Sequence, residues 1–295
     1  MQNYVDEEKN IMYETNCVCL FKKLVADNKT VEVKEIIERY INVYPNFLDY
    51  WSYIYAIQKN NLKILVCLNI FGVKASVKIL KQAIILNASL DIVKYLIDVM
   101  NVEHTLPEYI SHCCMVGNLK ILEFLFEREC ECDKWALEWA CIHGHLHIVI
   151  YLLKNLKSRL NRYTIYNAVQ SKNIEIIKFL AKSVAYSDDL ITHACRHGNL
   201  EIVSYLYEHR TNVIPFESPK AIQEALLSKN RDTALYLINK NFPFTIDECK
   251  IAYSLKYNDV LILFCDILNI SMSEMYNRIT NNKQKGCNLI MMDIL

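Results

Sequence analysis

One set of residues recurs through most of the chain and fixes what it can fold into. With Asn61, Ser89, Asn118, His145, Asn173, Asn199, Asn230 and Asn258 as anchors, successive gaps run from 26 to 31 residues. That is the range of stacked structural repeats. Three residues past each anchor stand Ile64, Ile92, Ile121, Ile148, Ile176, Ile202, Thr233 and Leu261. Seven past stand Leu68, Leu96, Leu125, Leu152, Leu180, Leu206, Leu237 and Cys265, and six past is a mostly aromatic column that includes Tyr95, Phe124, Tyr151, Phe179 and Tyr205. Offsets three, four, six and seven share one face of an α-helix. A second apolar segment precedes each anchor, so each repeat reads as helix, tight turn, helix. Neither helix can bury its face alone, and the aromatic and leucine columns are expected to pack between successive pairs. The predicted fold is all-α, a helix-turn-helix repeat solenoid.

Turn and cap chemistry agrees with this reading. Gly117, Gly144 and Gly198 each stand just before an anchor, where a sharp helix-helix turn favours positive φ. Asn60, Lys172, Lys229 and Tyr257 hold that place elsewhere. The Ser89 repeat is irregular, with Ala83 one place out of column. Capping signals precede several first helices: Thr105 with Glu108, Asp133, Ser218 before Pro219, and Thr245 with Glu248. The organisation read from this is an N-terminal cap over 1–46, about eight repeats over 47–269, and a C-terminal cap or tail over 270–295. Within the first segment, VEVKEIIERY places Val33, Ile36, Ile37 and Tyr40 on one helical face. It reads either as a degenerate repeat or as part of the cap.

Lys+Arg and Asp+Glu balance at 33 each. Such a chain has no overall pull towards nucleic acid or an anionic membrane surface. The start MQNYVDEEKN has no basic segment followed by an apolar core, and no apolar run approaches the roughly 20 residues needed to span a bilayer. An intracellular protein is expected, cytoplasmic rather than nuclear, with its 12 Cys reduced.

Candidate chemistry reads as structure. His143, His145 and His147 lie near Cys130, Cys132 and Cys141 in sequence, but zinc needs four converging N or S ligands. Cys141 shares its column with Ile57, Ile85, Cys114, Val169, Cys195 and Leu226. A column shared with Ile, Val and Leu is apolar core, where Cys is a small hydrophobe. His193, Cys195 and His197 share a short helix, but residues two apart on a helix do not face each other. No phosphate loop, dinucleotide glycine pattern, H-E-x-x-H or nucleophile elbow occurs. No metal, cofactor or catalytic residue is therefore assigned.

Two stretches, ACIHGHLHIV from Ala140 and ACRHGNLEIV from Ala194, resemble the A-A-x-x-G-H-L-E-I-V core of ankyrin repeats. The likeness runs over about residues 50 to 268. It departs in two ways: the period is near 28 rather than about 33, and the T-P-L-H tetrapeptide is missing. Both departures point to shortened inter-repeat hairpins. In composition the chain is similar to the divergent Ile/Asn/Lys/Tyr-rich ankyrin-repeat proteins of large DNA viruses. The resemblance implies a monomeric protein-protein interaction scaffold with no catalytic activity and an unidentified protein partner. The family's layout puts partner contacts at the two residues before the glycine place. In this sequence they include Gln58, Met115, Ile142, His143, Gln170, Arg196, His197 and Leu227. A ubiquitin-ligase adaptor is the alternative, and a metal-dependent enzyme a more distant one.

Overall fold

The computed structural model describes residues 17–27, 29–40, 50–155, 160–183, 188–197, 199–209 and 220–281. Among these, all regular structure is helical. Two compact units divide the chain, Met1–Ala140 and Cys141–Leu295.

In the first unit, α1 (residues 17–26) is followed by α2 (Thr30–Tyr40), α3 (Tyr50–Gln58), α4 (Leu62–Ile70), α5 (Val77–Ile85) and α6 (Leu90–Lys94), which continues as a π-helical turn over Tyr95–Val99. α7 (Glu108–Val116) and α8 (Leu119–Glu127) come next, and α9 (Ala136–Ile142) crosses the division. The second unit holds α10 (Leu146–Asn155), α11 (Arg162–Gln170), α12 (Ile174–Leu180), α13 (Asp188–His197), α14 (Leu200–Glu208), α15 (Lys220–Leu227), α16 (Arg231–Asn239), α17 (Ile246–Ser254), α18 (Asn258–Leu268) and α19 (Met272–Asn281). First helices pack on first helices, as α13 does on α15, and second helices on second helices, as α16 does on α18.

The buried columns explain this stacking. Every residue three past its anchor is fully buried, and so are all the leucines seven past. On first helices the position five before the turn's anchor (six before Ser89) is small: Ala56, Ala83, Cys113, Ala140, Ala168, Ala194, Ala225 and Ala252 are all fully buried. Small side chains there let neighbouring helices approach closely. The aromatic column departs from expectation. Phe124 and Phe264 are buried, but Tyr95, Tyr151, Phe179, Tyr205 and Tyr236 keep part of their surface in solvent. Offset six lies at the edge of the apolar stripe, so these rings are only partly covered.

Among the described residues, left-handed backbone marks both turns of the hairpins. The first turn, between paired helices, uses Asn60, Asn87, Gly117, Gly144, Lys172, Lys229 and Lys256. The second, at the end of the second helix, uses Gly72, Asn101, Glu129, Asn241 and Asn269. After each residue of the second set the next N–H turns back to the column-seven carbonyl or its equivalent: Val73 to Leu68, Cys130 to Leu125, Phe242 to Leu237. This is the closing bond of a Schellman cap.

The anchors tie neighbouring hairpins together. The Asn118 and Asn199 side chains accept from the N–H of Ile121 and Ile202 at 3.0 and 3.1 Å, capping their own helices. Their amide nitrogens donate one repeat back. Asn118 reaches the Asn87 side chain at 2.7 Å, Asn173 the Gly144 carbonyl at 2.9 Å, and Asn199 the Lys172 carbonyl at 3.2 Å. Asn61 reaches Thr30 at 3.5 Å. Thr30 thus occupies an anchor place ahead of the buried Val33 and Ile37, so α1 and α2 form a hairpin of the same type.

The structure corrects three readings. The last anchor is Tyr257, not Asn258: Tyr257 precedes α18, its hydroxyl donates to the Lys229 carbonyl at 3.0 Å, and Lys256 holds the left-handed place. Ile84, not Ile85, holds the buried column to which Cys141 belongs, because the Ser89 turn carries one extra residue: Ala88, not Ser89, donates to the Ala83 carbonyl. Thr105 and Glu108 form no capping box. Pro107 takes the N-cap, and Glu108 instead accepts from Lys81 at 3.0 Å. Asp133 and the Thr245–Glu248 box do cap as expected, and Asn161 with Thr164 forms a further capping box. Ser218, Pro219 and the C-terminal NLIMMDIL lie outside the described residues.

Candidate functional site

First helices have a second face that the core does not use. Buried positions fall nine, eight, five and four before the anchor, so positions ten, seven or six, and three before it point the other way. In the first unit, α3 offers Trp51, Tyr55 and Gln58; α5 offers Lys78, Lys81 and Ile85; α7 offers Glu108, His112 and Met115. Trp51 and Trp135 are 56% and 55% exposed. In the second unit, α11 offers Tyr163, Tyr166 and Gln170; α13 offers Asp189, His193 and Arg196; α15 offers Lys220, Glu224 and Leu227. Tyr163 is 64% and Leu227 58% exposed.

The expected contact residues sort by accessibility. Gln58, His143, Gln170, Arg196 and Leu227 are exposed, and Met115, Ile142 and His197 are half-buried. Gln170, Arg196 and Leu227 sit on three successive packed first helices, α11, α13 and α15. Corrected registers add Ile85 and Ser254 to this column, both exposed.

Arg196 is held in place. Its fork donates to both Glu224 oxygens, at 3.0 and 2.6 Å, from one first helix to the next. That hydrogen bond holds the Glu224 carboxyl below its usual pKa. The Ser228 hydroxyl donates to the Arg196 carbonyl at 2.7 Å. Arg231 and Asp259 make a similar link between second helices at 2.9 Å. Such pairs were missed in sequence, although their partners stand close to one period apart. Reading each charge against the residue one repeat later would have found them.

The His193 and His197 rings lie 4.7 Å apart, and His193 is 5.3 Å from the Tyr166 ring. Burial first, then the neighbouring cations, lowers both imidazole pKa values. Cys195 between them is fully buried, with burial pushing its thiol up to about 12. Such burial favours the thiol over the thiolate. The rings of His143, His145 and His147 run along one turn with centroids 6.4 and 6.0 Å apart. Among the described residues no group of three or more His, Cys, Asp or Glu side chains could hold a metal ion, and no helix is long and apolar enough to cross a membrane.

The family model for ankyrin repeats (three copies) matches residues 80–164, 110–188 and 165–247, more than half of the chain. The chain belongs to the ankyrin-repeat family. Its ankyrin hairpins extend beyond the matched segments, since α3–α4 and α17–α18 show the same left-handed turns at Asn60 and Lys256. An ankyrin repeat protein of Acanthamoeba polyphaga mimivirus is 28% identical over 148 residues, covering 41% of this chain and 33% of that protein. The chain therefore spans about a third of the length of that relative. Ankyrin repeats are protein-interaction modules, and the likeness here is to the divergent ones of giant viruses.

Proposed function

We propose that this chain is a non-catalytic scaffold. It binds a partner protein through the exposed faces of its first helices and the adjoining turns, at Gln58, Met115, Ile142, His143, Gln170, Arg196, His197 and Leu227. The observation that carries this reading is the contrast along one helix. Leu226 is fully buried and the adjacent Leu227 is 58% exposed, at the place that holds Gln, Met, Ile and Arg in other repeats. A large apolar side chain kept in water, beside tyrosine and tryptophan at the same face, is what a recognition surface needs. The chain would act as a monomer inside a cell, with the cytoplasm as its compartment and no cofactor.

The test is affinity capture from cell lysate by wild type and by a Tyr163→Ser/Leu227→Asp variant, with circular dichroism confirming that both are folded. Arg196 is left intact because its loss would strand Glu224. A protein held by wild type and lost from the variant supports the reading. Equal capture by both, or no specific capture by either, overturns it.

A further inference from the structure

We propose that the first-helix face of α11, α13 and α15 reads a carboxylate. In this proposal a partner segment places an Asp or Glu side chain over His193 and His197, with apolar neighbours on Tyr163 and Leu227. This deepens the scaffold reading above and rests on it.

The face carries Asp189 and Glu224 as well as Arg196 and Lys220, but at the two imidazoles the cations outnumber the carboxylates. The groups facing the imidazoles are Tyr166 from α11, Arg196 from α13, Glu224 from α15 and Lys172 from the turn. Glu224 is the one carboxylate among them, and both its oxygens are taken by Arg196. Glu224 still acts on His193 as an anion, while His197 has the cations Arg196 and Lys172 beside it and no anion among these groups. That imbalance is why cations appear beside burial among the causes that depress both rings.

A second observation points to a ligand. His193 is anchored through a hydrogen bond with the Tyr166 backbone, while its Nε2 is buried with no partner among the described residues. Buried polar atoms are nearly always satisfied. The His197 ring lies 4.7 Å away and is half-buried. Its terminal ring torsion is soft, so a small rotation opens a path from solvent to that nitrogen. His197 also ends α13, where the helix dipole favours a cation.

An arriving carboxylate changes the proton balance. It stabilises the imidazolium form of both rings, and His193 Nε2–H then donates to a carboxylate oxygen. No bond is made or broken apart from the protons taken up from solvent. Binding therefore draws protons, and affinity rises as pH falls from about 7.5 towards about 6, by at most about tenfold per pH unit for each proton taken up. The flanks fix the rest of the recognition element. Tyr163 and Leu227 lie on the helices either side of α13, each about 10 Å away, so the acid sits between two apolar residues.

The probe is a capped leucyl-glutamyl-leucine peptide at millimolar concentration, beside its glutamine counterpart, added to the full chain. The readout is the histidine ring proton resonances followed through pH. The expected result is that the glutamate peptide shifts the His193 and His197 resonances, raises both apparent pKa values, and binds several-fold tighter at about pH 6 than at about pH 7.5. The glutamine peptide should do none of these. Equal shifts with both peptides, no shift with either, or pH-independent affinity would overturn the proposal. Capture of a protein by the exposed faces, with no glutamate effect, would sink this inference and leave the scaffold standing. A glutamate effect without any captured protein would show carboxylate binding at this face but overturn the scaffold reading, and with it the partner segment proposed here.

Discussion

Hairpins α5–α6 and α7–α8 are neighbours in the first unit and meet the same packing demand with different chain lengths. In α7–α8 one left-handed residue, Gly117, leads directly into the capping Asn118. In α5–α6 the left-handed Asn87 is followed by Ala88 and then Ser89, whose side chain makes no capping bond. The second helix of that hairpin then carries a π-helical turn over Tyr95–Val99. Val102 donates to the Leu96 carbonyl across one residue more than Cys130 spans to Leu125. Despite these two insertions, Ile92, Val93 and Leu96 are as fully buried as Ile121, Leu122 and Leu125. Extra residues are absorbed in the turn and in one widened helical turn, while the core columns hold their places. The apolar contacts set the register, and the backbone adapts to them.

The largest test of this comparison is core truncation. Leu96→Ala and Leu125→Ala should each lower stability by about 2–5 kcal/mol in urea unfolding, through lost burial and the cavity left behind. A much smaller loss for Leu96→Ala would mean that the irregular hairpin is loosely packed. Next come the anchors. Asn118→Ala should cost about 0.5–2 kcal/mol, since it loses the bond to the Ile121 N–H and the link to Asn87. Ser89→Ala should cost no more than a few tenths, because the Ser89 side chain makes no capping bond and its backbone N–H, which the Asn60 side chain accepts at 2.8 Å, is kept in the variant. Equal losses would break the distinction between the two turns.

Left-handed residues give an effect of opposite sign. Glu129→Gly, closing the regular hairpin, should stabilise by about 1 kcal/mol, since a Cβ strains that conformation. Asn87→Gly, in the irregular turn, should gain less, because Asn tolerates the left-handed region better. The smallest effect concerns pH. The places of His193, Arg196 and His197 on α13 are filled by His112, Met115 and Val116 on α7. The folded pKa values of His193 and His197 are lowered below 6.5. The unfolded chain then binds more protons just below that value, so their contribution is intact above it and is lost as pH falls. A His193→Gln/His197→Gln variant should lose less stability than wild type between about pH 7.5 and about pH 5.5.

The fold was legible because the third and seventh columns are both apolar and periodic, and each recurs in repeat after repeat. What went unread has local causes. Asn258 looked like an anchor because Asn holds most anchor places, yet Tyr257 spans to Lys229 with its longer side chain. Ala83 looked misplaced because an insertion in a turn leaves no mark in hydrophobic pattern. Glu108 matched a capping signature but was drawn to Lys81, which only the stacked helices bring near. The exposed column was found from family layout. Its electrostatics were not, since the Arg196–Glu224 pair and the buried His193 nitrogen, without a partner among the described residues, exist only once hairpins are stacked.

Hydrogen exchange across the two neighbouring hairpins is the most direct test of the claim that core columns set the register and the backbone absorbs insertions. The Ala88 and Val102 amides, bonded to the Ala83 and Leu96 carbonyls, should be protected as strongly as Asn118 and Cys130, their counterparts in α7–α8. Exchange of Ala88 and Val102 at the rate of an open loop, with Asn118 and Cys130 protected, would show that the insertions break the hairpin and would contradict the account.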